Sequence, residues 1–307
     1  MITSFFSKSK PINFLIVFFI SFVALLTAVF KYESGGFTLE RIVKLSLVFG
    51  VSYLSILVVD FIVTKNALTR KSNYEILLYS LFLLLVPQVF TNQEVLLSNL
   101  LILFALRRIV SIRSQKEVIK KLFDAGVLIA LASLIYFWAI LFFIVILLAL
   151  FFFAEQRLKS WFVPFLGVFA VIVVAIGASV MFNDTYLGYL NITPQVDFDL
   201  SHYNSVQFIV AITVLLSFGL WSSIFYLKDL KTKTGTYKPT YKVIFVSCMV
   251  ASAILIIAPN KNGSEFVFLF APLSVIITNY IETIEDKWFK DLFVIVLFVI
   301  PFVLLVL

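Results

Sequence analysis

Cysteine and histidine are almost absent from this sequence: Cys248 and His202 are the single examples of each. One cysteine excludes an intramolecular disulfide framework and a cysteine-ligated metal centre. One histidine leaves a histidine-cluster metal site without ligands. Charge is scarce as well. Charged residues fill 13% of the 307 positions, against about 25% in an ordinary soluble domain. No hydrophilic stretch is long enough for a soluble catalytic domain. The apolar runs are continuous and do not alternate, which excludes an outer-membrane barrel. Glycine is held to 10 residues while Phe reaches 36 and Tyr 12. Helix packing is therefore expected to use bulky interlocking rings in place of small-xxx-small faces.

What is present is apolar. Hydrophobic residues make up 62% of the chain and mean hydropathy is +1.09. A soluble fold of this length has too much surface for its volume to hide that much apolar area. Lipid must be the solvent. The expected fold class is all-α: a polytopic transmembrane helical bundle forming one transmembrane domain over residues 1–307, with no soluble domain.

A spanning helix needs about 20 mainly apolar residues. Hydropathy places such segments near 12–30, 43–64, 76–91, 95–111, 122–136, 138–153, 161–181, 207–227, 243–258, 266–281 and 292–307. That is about 11 spans. The run 122–153 is split at Tyr136-Phe137-Trp138, an aromatic group suited to an interface. The alternative is one span plus a re-entrant segment. Pro301 is expected to interrupt the last run. Lys8 and Lys10 precede the first run, which is too long for a cleaved signal peptide and reads as a retained anchor.

Charge tests this assignment independently. With the N-terminus cytoplasmic, all of the 24 Lys and Arg except Lys31, Arg41, Lys44 and Lys261 fall in segments on the cytoplasmic side. That bias obeys the positive-inside rule. The net charge of +7 is then a feature of the lipid-facing cytoplasmic surface. No nucleic-acid partner is implied, because no basic patch is interleaved with a folded domain. The densest basic stretch, 107–121, either lies on anionic lipid as an amphipathic connector or only sets topology.

The unusual residues lie outside. Segment 182–206 has no Lys or Arg and carries Asp184, Asp197, Asp199 and His202 among Tyr186, Tyr189, Phe198 and Tyr203. Acids among aromatics suit a sugar- or prenyl-phosphate-handling surface. Carboxylates accept hydroxyl protons or hold a divalent cation, the one cofactor these residues suggest. The alternative is a solvated loop whose rings rest among headgroups. In the turn 259–265, Gly263 permits a tight reversal between Lys261 and Glu265. Lys261 can hold a phosphate, or the two can simply pair. In 31–41, Glu33 follows the first span and Glu40 and Arg41 precede the second. Glu33 and Asp184 are the candidate catalytic acids. Lys261, Glu265, Arg41, Asp197, Asp199 and His202 are the candidate substrate-binding residues.

Polar groups within the spans are few. Asp60 is expected to snorkel toward Lys65, and Asp124 to be neutralised by Lys120 and Lys121. Pro87, Pro164 and Pro272 leave backbone carbonyls free. No charged residue falls at the middle of a span, which argues against a proton-driven pump.

From Ser98 to Phe153 an apolar helix ends in Arg107-Arg108, a short basic loop follows, and Asp124-Ala125-Gly126 opens a broken apolar pair. This order resembles the central module of polytopic glycosyltransferases of the C-type fold. The resemblance covers about a fifth of the chain and implies sugar transfer from a polyprenyl-phosphate donor outside the cytoplasmic membrane. The pattern departs from those enzymes in its short first external loop, which offers Glu33 and Glu40 alone. The whole chain, including 261–265 and the following FVFLFAPLSVIITNYIE, resembles a family of uncharacterised integral membrane proteins from Flavobacterium-like bacteria. That resemblance implies a multi-pass protein of the bacterial cytoplasmic (inner) membrane. Three functions stay open: a C-type-like glycosyltransferase or lipid-linked-sugar protein of cell-envelope assembly, a non-catalytic subunit or scaffold of an envelope complex, and a lipid or small-molecule transporter. Membrane lipids are the expected partners, among them a polyprenyl-phosphate lipid, together with other membrane proteins.

Overall fold

The computed structural model describes residues 2–32, 38–70, 72–153, 157–183, 195–259 and 261–306, and among them there is no strand. The helices are α1 (Ile2–Phe6), α2 (Pro11–Tyr32), α3 (Leu39–Asn66), α4 (Tyr74–Leu85), α5 (Gln93–Val110), α6 (Val118–Ile135), α7 (Phe143–Phe152), α8 (Leu158–Asn183), α9 (Val206–Asp229), α10 (Lys238–Ile257), α11 (Val267–Thr283) and α12 (Lys287–Val306). Each of the expected apolar segments is helical. Eight helices among the described residues are long and apolar enough to cross a membrane. The exceptions are the shorter apolar stretches Tyr74–Leu85 and Phe137–Phe152, and α6, which carries Lys120, Lys121 and Asp124 in its first two turns. Twelve helical residues of α4 reach about 18 Å, short of a hydrocarbon core of about 30 Å.

The breaks have local causes. Pro87 lacks an N–H and disfavours helical geometry before it, so Val86 leaves the helical region at φ −127°, ψ 73° and a 3-10 turn over Pro87–Thr91 follows. At the aromatic group, Tyr136 is extended and a 3-10 turn runs over Phe137–Phe142 before α7. The expected split is therefore present, as one full helix followed by a short one. Pro301 makes no break: α12 passes through it, which membrane helices tolerate when neighbouring groups satisfy the freed carbonyl.

The chain divides into two compact units. The first comprises Met1–Leu96, Asp199–Lys233 and Lys261–Leu307. Its centre is the pair α4 and α11. Every residue of α4 is buried, as is every residue of α11 from Val267 to Ile281, as a helix apolar all round must be. Tyr79 and Phe82 of α4 meet Phe270 of α11 at ring separations of 5.9 and 5.6 Å. Around them, α2 turns Val17, Ala24 and Ala28 inward and Phe19 and Phe30 outward. Phe18 and Phe22 of α2 pack edge-on against Phe49 of α3 at 5.0 and 5.7 Å. Here the expected interlocking of rings holds.

The second unit comprises Leu97–Phe198 and Thr234–Asn260, and it corrects that expectation. Its α6 and α8 cross on small residues. A Cβ on Gly126 would sit 2.4 Å from the carbonyl oxygen of Pro164, and one on Gly167 would sit 2.6 Å from the carbonyl oxygen of Phe123. Backbones this close need glycine on both helices. Asp124 also finds a partner other than the expected lysines: Arg108 lies 3.0 Å away. Lys121 instead donates to the Ser111 carbonyl and the Ser114 hydroxyl at 2.6 and 2.7 Å. In the first unit, Asp60 accepts the side-chain amide of Asn73 at 3.2 Å, while Lys65 lies over the Phe61 ring.

Candidate functional site

One end of the first unit gathers polar side chains from distant parts of the chain. Lys31 and Tyr32 close α2, Gln88 sits in the turn after α4, His202 and Ser205 to Gln207 lead into α9, and Asn262 precedes α11. They line a cavity of about 480 Å³ walled by Phe208 and Leu304. Local sequence fixes each contributor. Ser205 is extended, and its hydroxyl accepts the N–H of Phe208 at 3.3 Å, starting α9 where the cavity begins. Gly263 stands at φ +92°, where L side chains are strained, and a Cβ there would meet Phe208 Cε1 at 2.5 Å and Gln88 Cβ at 3.4 Å. The Phe208 ring is in turn held by Tyr203 and Phe266, at 5.3 and 6.3 Å.

The lining is a connected set of hydrogen-bonding groups. Gln88 Nε2 donates to the Tyr32 hydroxyl at 2.9 Å, and that hydroxyl donates to Gln207 Oε1. Gln88 Oε1 itself is buried behind the lining and meets no donor among the described residues. Among the described lining residues, Lys31 and His202 are basic and none is Asp or Glu. The cavity thus suits an anion with polar groups beside it.

Lys261 and Glu265 lie in the adjoining turn, each only 2% exposed. The turn is therefore buried at both of these charged residues. The Glu265 carboxylate accepts the backbone N–H of Gly263 at 3.0 Å. Asn262 Oδ1 accepts the N–H and the hydroxyl of Ser264 at 2.9 and 2.6 Å. Asp199 accepts the backbone N–H and hydroxyl of Ser201 at 2.8 and 2.9 Å. Those bonds hold its carboxyl below the usual carboxylate range, with smaller help from the charges of His202 and Lys261.

Of the residues singled out from sequence, His202 lines the cavity, and Lys261, Glu265 and Asp199 stand on segments that build it. Asp197 belongs to the second unit, where its N–H donates to the Ile257 carbonyl at 3.1 Å. Arg41 lies in the first turn of α3, its N–H donating to the Thr38 hydroxyl, and does not line the cavity. Glu33 and Asp184 lie outside the described residues. Among the described residues no set of three His, Cys, Asp or Glu is arranged to hold a metal ion. Gln88, Tyr32 and Gln207 had no signal beyond being single polar residues in or beside apolar runs; Lys31 was legible only as a rare external cation. The second unit has a groove of about 550 Å³ between α6 and α8, lined by residues such as Val127, Leu131 and Val174. It offers no polar group to orient a substrate.

The family of unknown function DUF6427 matches residues 3–307. No curated protein and no solved structure matches the chain.

Proposed function

The chain belongs to that family of unknown function, and from the geometry of the cavity we propose that it is an inner-membrane protein that holds the phosphorylated sugar headgroup of a polyprenyl-phosphate lipid. On this reading the chain crosses the membrane about eleven times, α4 and α7 completing their crossings with the adjoining 3-10 turns, with its N-terminus in the cytoplasm and the cavity at the outer face. The charge bias of the loops supports that orientation. So does the segregation within the first unit: Lys31, Gln88, His202 and Asn262 meet at one end, while Thr3, Tyr74, Lys287 and Lys290 meet at the other.

The observation that carries the proposal is the cavity lining. Lys31 and His202 face the phosphate, and Ser205, Gln207 and Asn262 are the polar side chains beside them for the sugar. Transfer of the sugar would need a base, with Glu33 and Asp184 as its candidates. A second role, presentation of the lipid to a partner enzyme by a non-catalytic subunit, needs no base. It is favoured by the lack of any carboxylate among the described lining residues.

The test is lipid binding by the full chain in nanodiscs, read by native mass spectrometry with polyprenyl monophosphate and the uncharged polyprenyl alcohol. The phosphate form should bind preferentially. A hydrogen bond to a charged group is worth about 1.5–3 kcal/mol, so Lys31→Gln or His202→Asn should each weaken binding about ten- to a hundredfold. Equal binding of the alcohol and the phosphate, or indifference to both substitutions, would overturn the proposal.

A further inference from the structure

At the opposite end of the first unit the chain buries a carboxylate that no other side chain among the described residues partners. Glu75 lies in the first turn of α4 and is 0% exposed. Neither of its carboxylate oxygens meets a hydrogen-bond donor from another residue. Its acidic neighbours are treated differently. Glu282 of α11 accepts the N–H of Arg70 at 2.8 Å and the hydroxyl of Ser72 at 2.6 Å. Asp60 of α3 accepts the Asn73 amide and is partly exposed. Both stand close enough for their charge to act on Glu75. Among the described residues, the other packed helices bring no compensating cation to it. From α2 comes the neutral Asn13, bonded to Asn73 at 3.3 Å. From α12 come Lys290 and Asp291, which face Tyr74, with the Lys290 ammonium 5.5 Å above that ring.

The hydrogen-bond donors of this cluster therefore go to Glu282 and Asp60. An ionised Glu75 would face both of them without a donor, at a cost of several kcal/mol for the buried charge alone. A neutral carboxylic acid avoids most of that cost. We propose that Glu75 is a proton-binding site: its carboxyl carries a proton, exchangeable at this end of the unit, and its ionisation loosens α4 from α2, α3 and α11. The site is independent of the cavity and of any lipid bound there. Glu75 stands in the first turn of α4 and not at the middle of a span. Ionisable groups buried among membrane helices are typically functional.

The test uses the full chain in native membranes. A lipid-soluble carbodiimide adds the O–H of a protonated buried carboxyl across its C=N bond and ends as a stable N-acylurea, located by peptide mass. Glu75 should be modified at neutral pH, less so as pH rises, and to the same extent with or without Na⁺. Absence of modification, or protection by Na⁺ in place of alkaline pH, would overturn the proposal, the latter by assigning a metal cation. Thermal unfolding gives a second readout. If the native state holds a proton that the unfolded chain releases, stability falls as pH rises. Glu75→Gln, which mimics the neutral acid, should keep the neutral-pH melting temperature and flatten that slope. A Gln variant as damaged as Glu75→Ala, with an unmodified wild type, would show that an ionised carboxylate was needed.

Discussion

Replacing Gly263 by alanine tests how the cavity is built. Two penalties add at this position. The backbone stands at φ +92°, and left-handed geometry costs an L residue about 1–2 kcal/mol. The new Cβ also falls 2.5 Å from Phe208 Cε1 and 2.6 Å from Cζ. A free ring would swing aside. This one is packed against Tyr203 and Phe266, so the clash should cost the about 1–3 kcal/mol typical of overpacking. Gly263→Ala is therefore expected to lose about 2–5 kcal/mol in total. Equilibrium unfolding in mixed micelles measures it. Adding Phe208→Leu should relieve the clash and leave the backbone penalty of about 1–2 kcal/mol. Gly177→Ala is the control: its Cβ would meet nothing within 4 Å, and mid-helix alanine should be neutral or stabilising by up to about 1 kcal/mol. If Gly263→Ala is as mild as Gly177→Ala, the turn does not have the geometry described and the reasoning fails.

Three further outcomes follow from other contacts. Gly126→Ala and Gly167→Ala each press a Cβ into backbone atoms at 2.4 and 2.6 Å, so each should separate α6 from α8 and cost more than Gly177→Ala; a thermal melt of the three variants side by side checks the order. Asp124→Asn removes the partner of Arg108, but the two side chains are 27% and 39% exposed, so the loss should be about 0–1 kcal/mol, and the charge-swapped double variant should recover it in a mutant cycle. Asp199→Asn removes the carboxylate that holds Ser201; if that turn positions His202, polyprenyl monophosphate binding in nanodiscs should weaken less than it does in His202→Asn.

The helices were legible because lipid imposes a simple rule. A run of about 20 apolar residues has few alternatives to a buried or spanning helix. The break at Tyr136 was marked by its aromatic group, whereas the expected segment 76–91 ran through Pro87, where the helix ends at Leu85. Pro301 misled because a proline predicts a break from local chemistry, whereas the structure keeps α12 continuous through it. Gly126 and Gly167 were invisible as a contact because they lie on helices that meet only in the fold. The same limit governed the polar sites. His202, Lys261 and Glu265 stood out because charge is rare outside. Gln88 and Glu75 did not, because a polar residue at the edge of an apolar run looks like an interface marker. Their burial is decided by α2, α3, α9 and α11, which come from distant parts of the chain.

The central claim is that the cavity around His202 opens on the outer face and receives a polyprenyl-phosphate headgroup. The most direct measurement is labelling of Val206→Cys, at the cavity lining, in a Cys248→Ser background with a membrane-impermeant maleimide, in intact spheroplasts, with and without polyprenyl monophosphate. Lys233→Cys serves as the cytoplasmic reference. The account predicts that position 206 is labelled from outside and protected by the phosphate lipid, and that position 233 is labelled only after permeabilisation. Labelling of position 233 in intact spheroplasts, or labelling of position 206 that the lipid leaves unchanged, would contradict it.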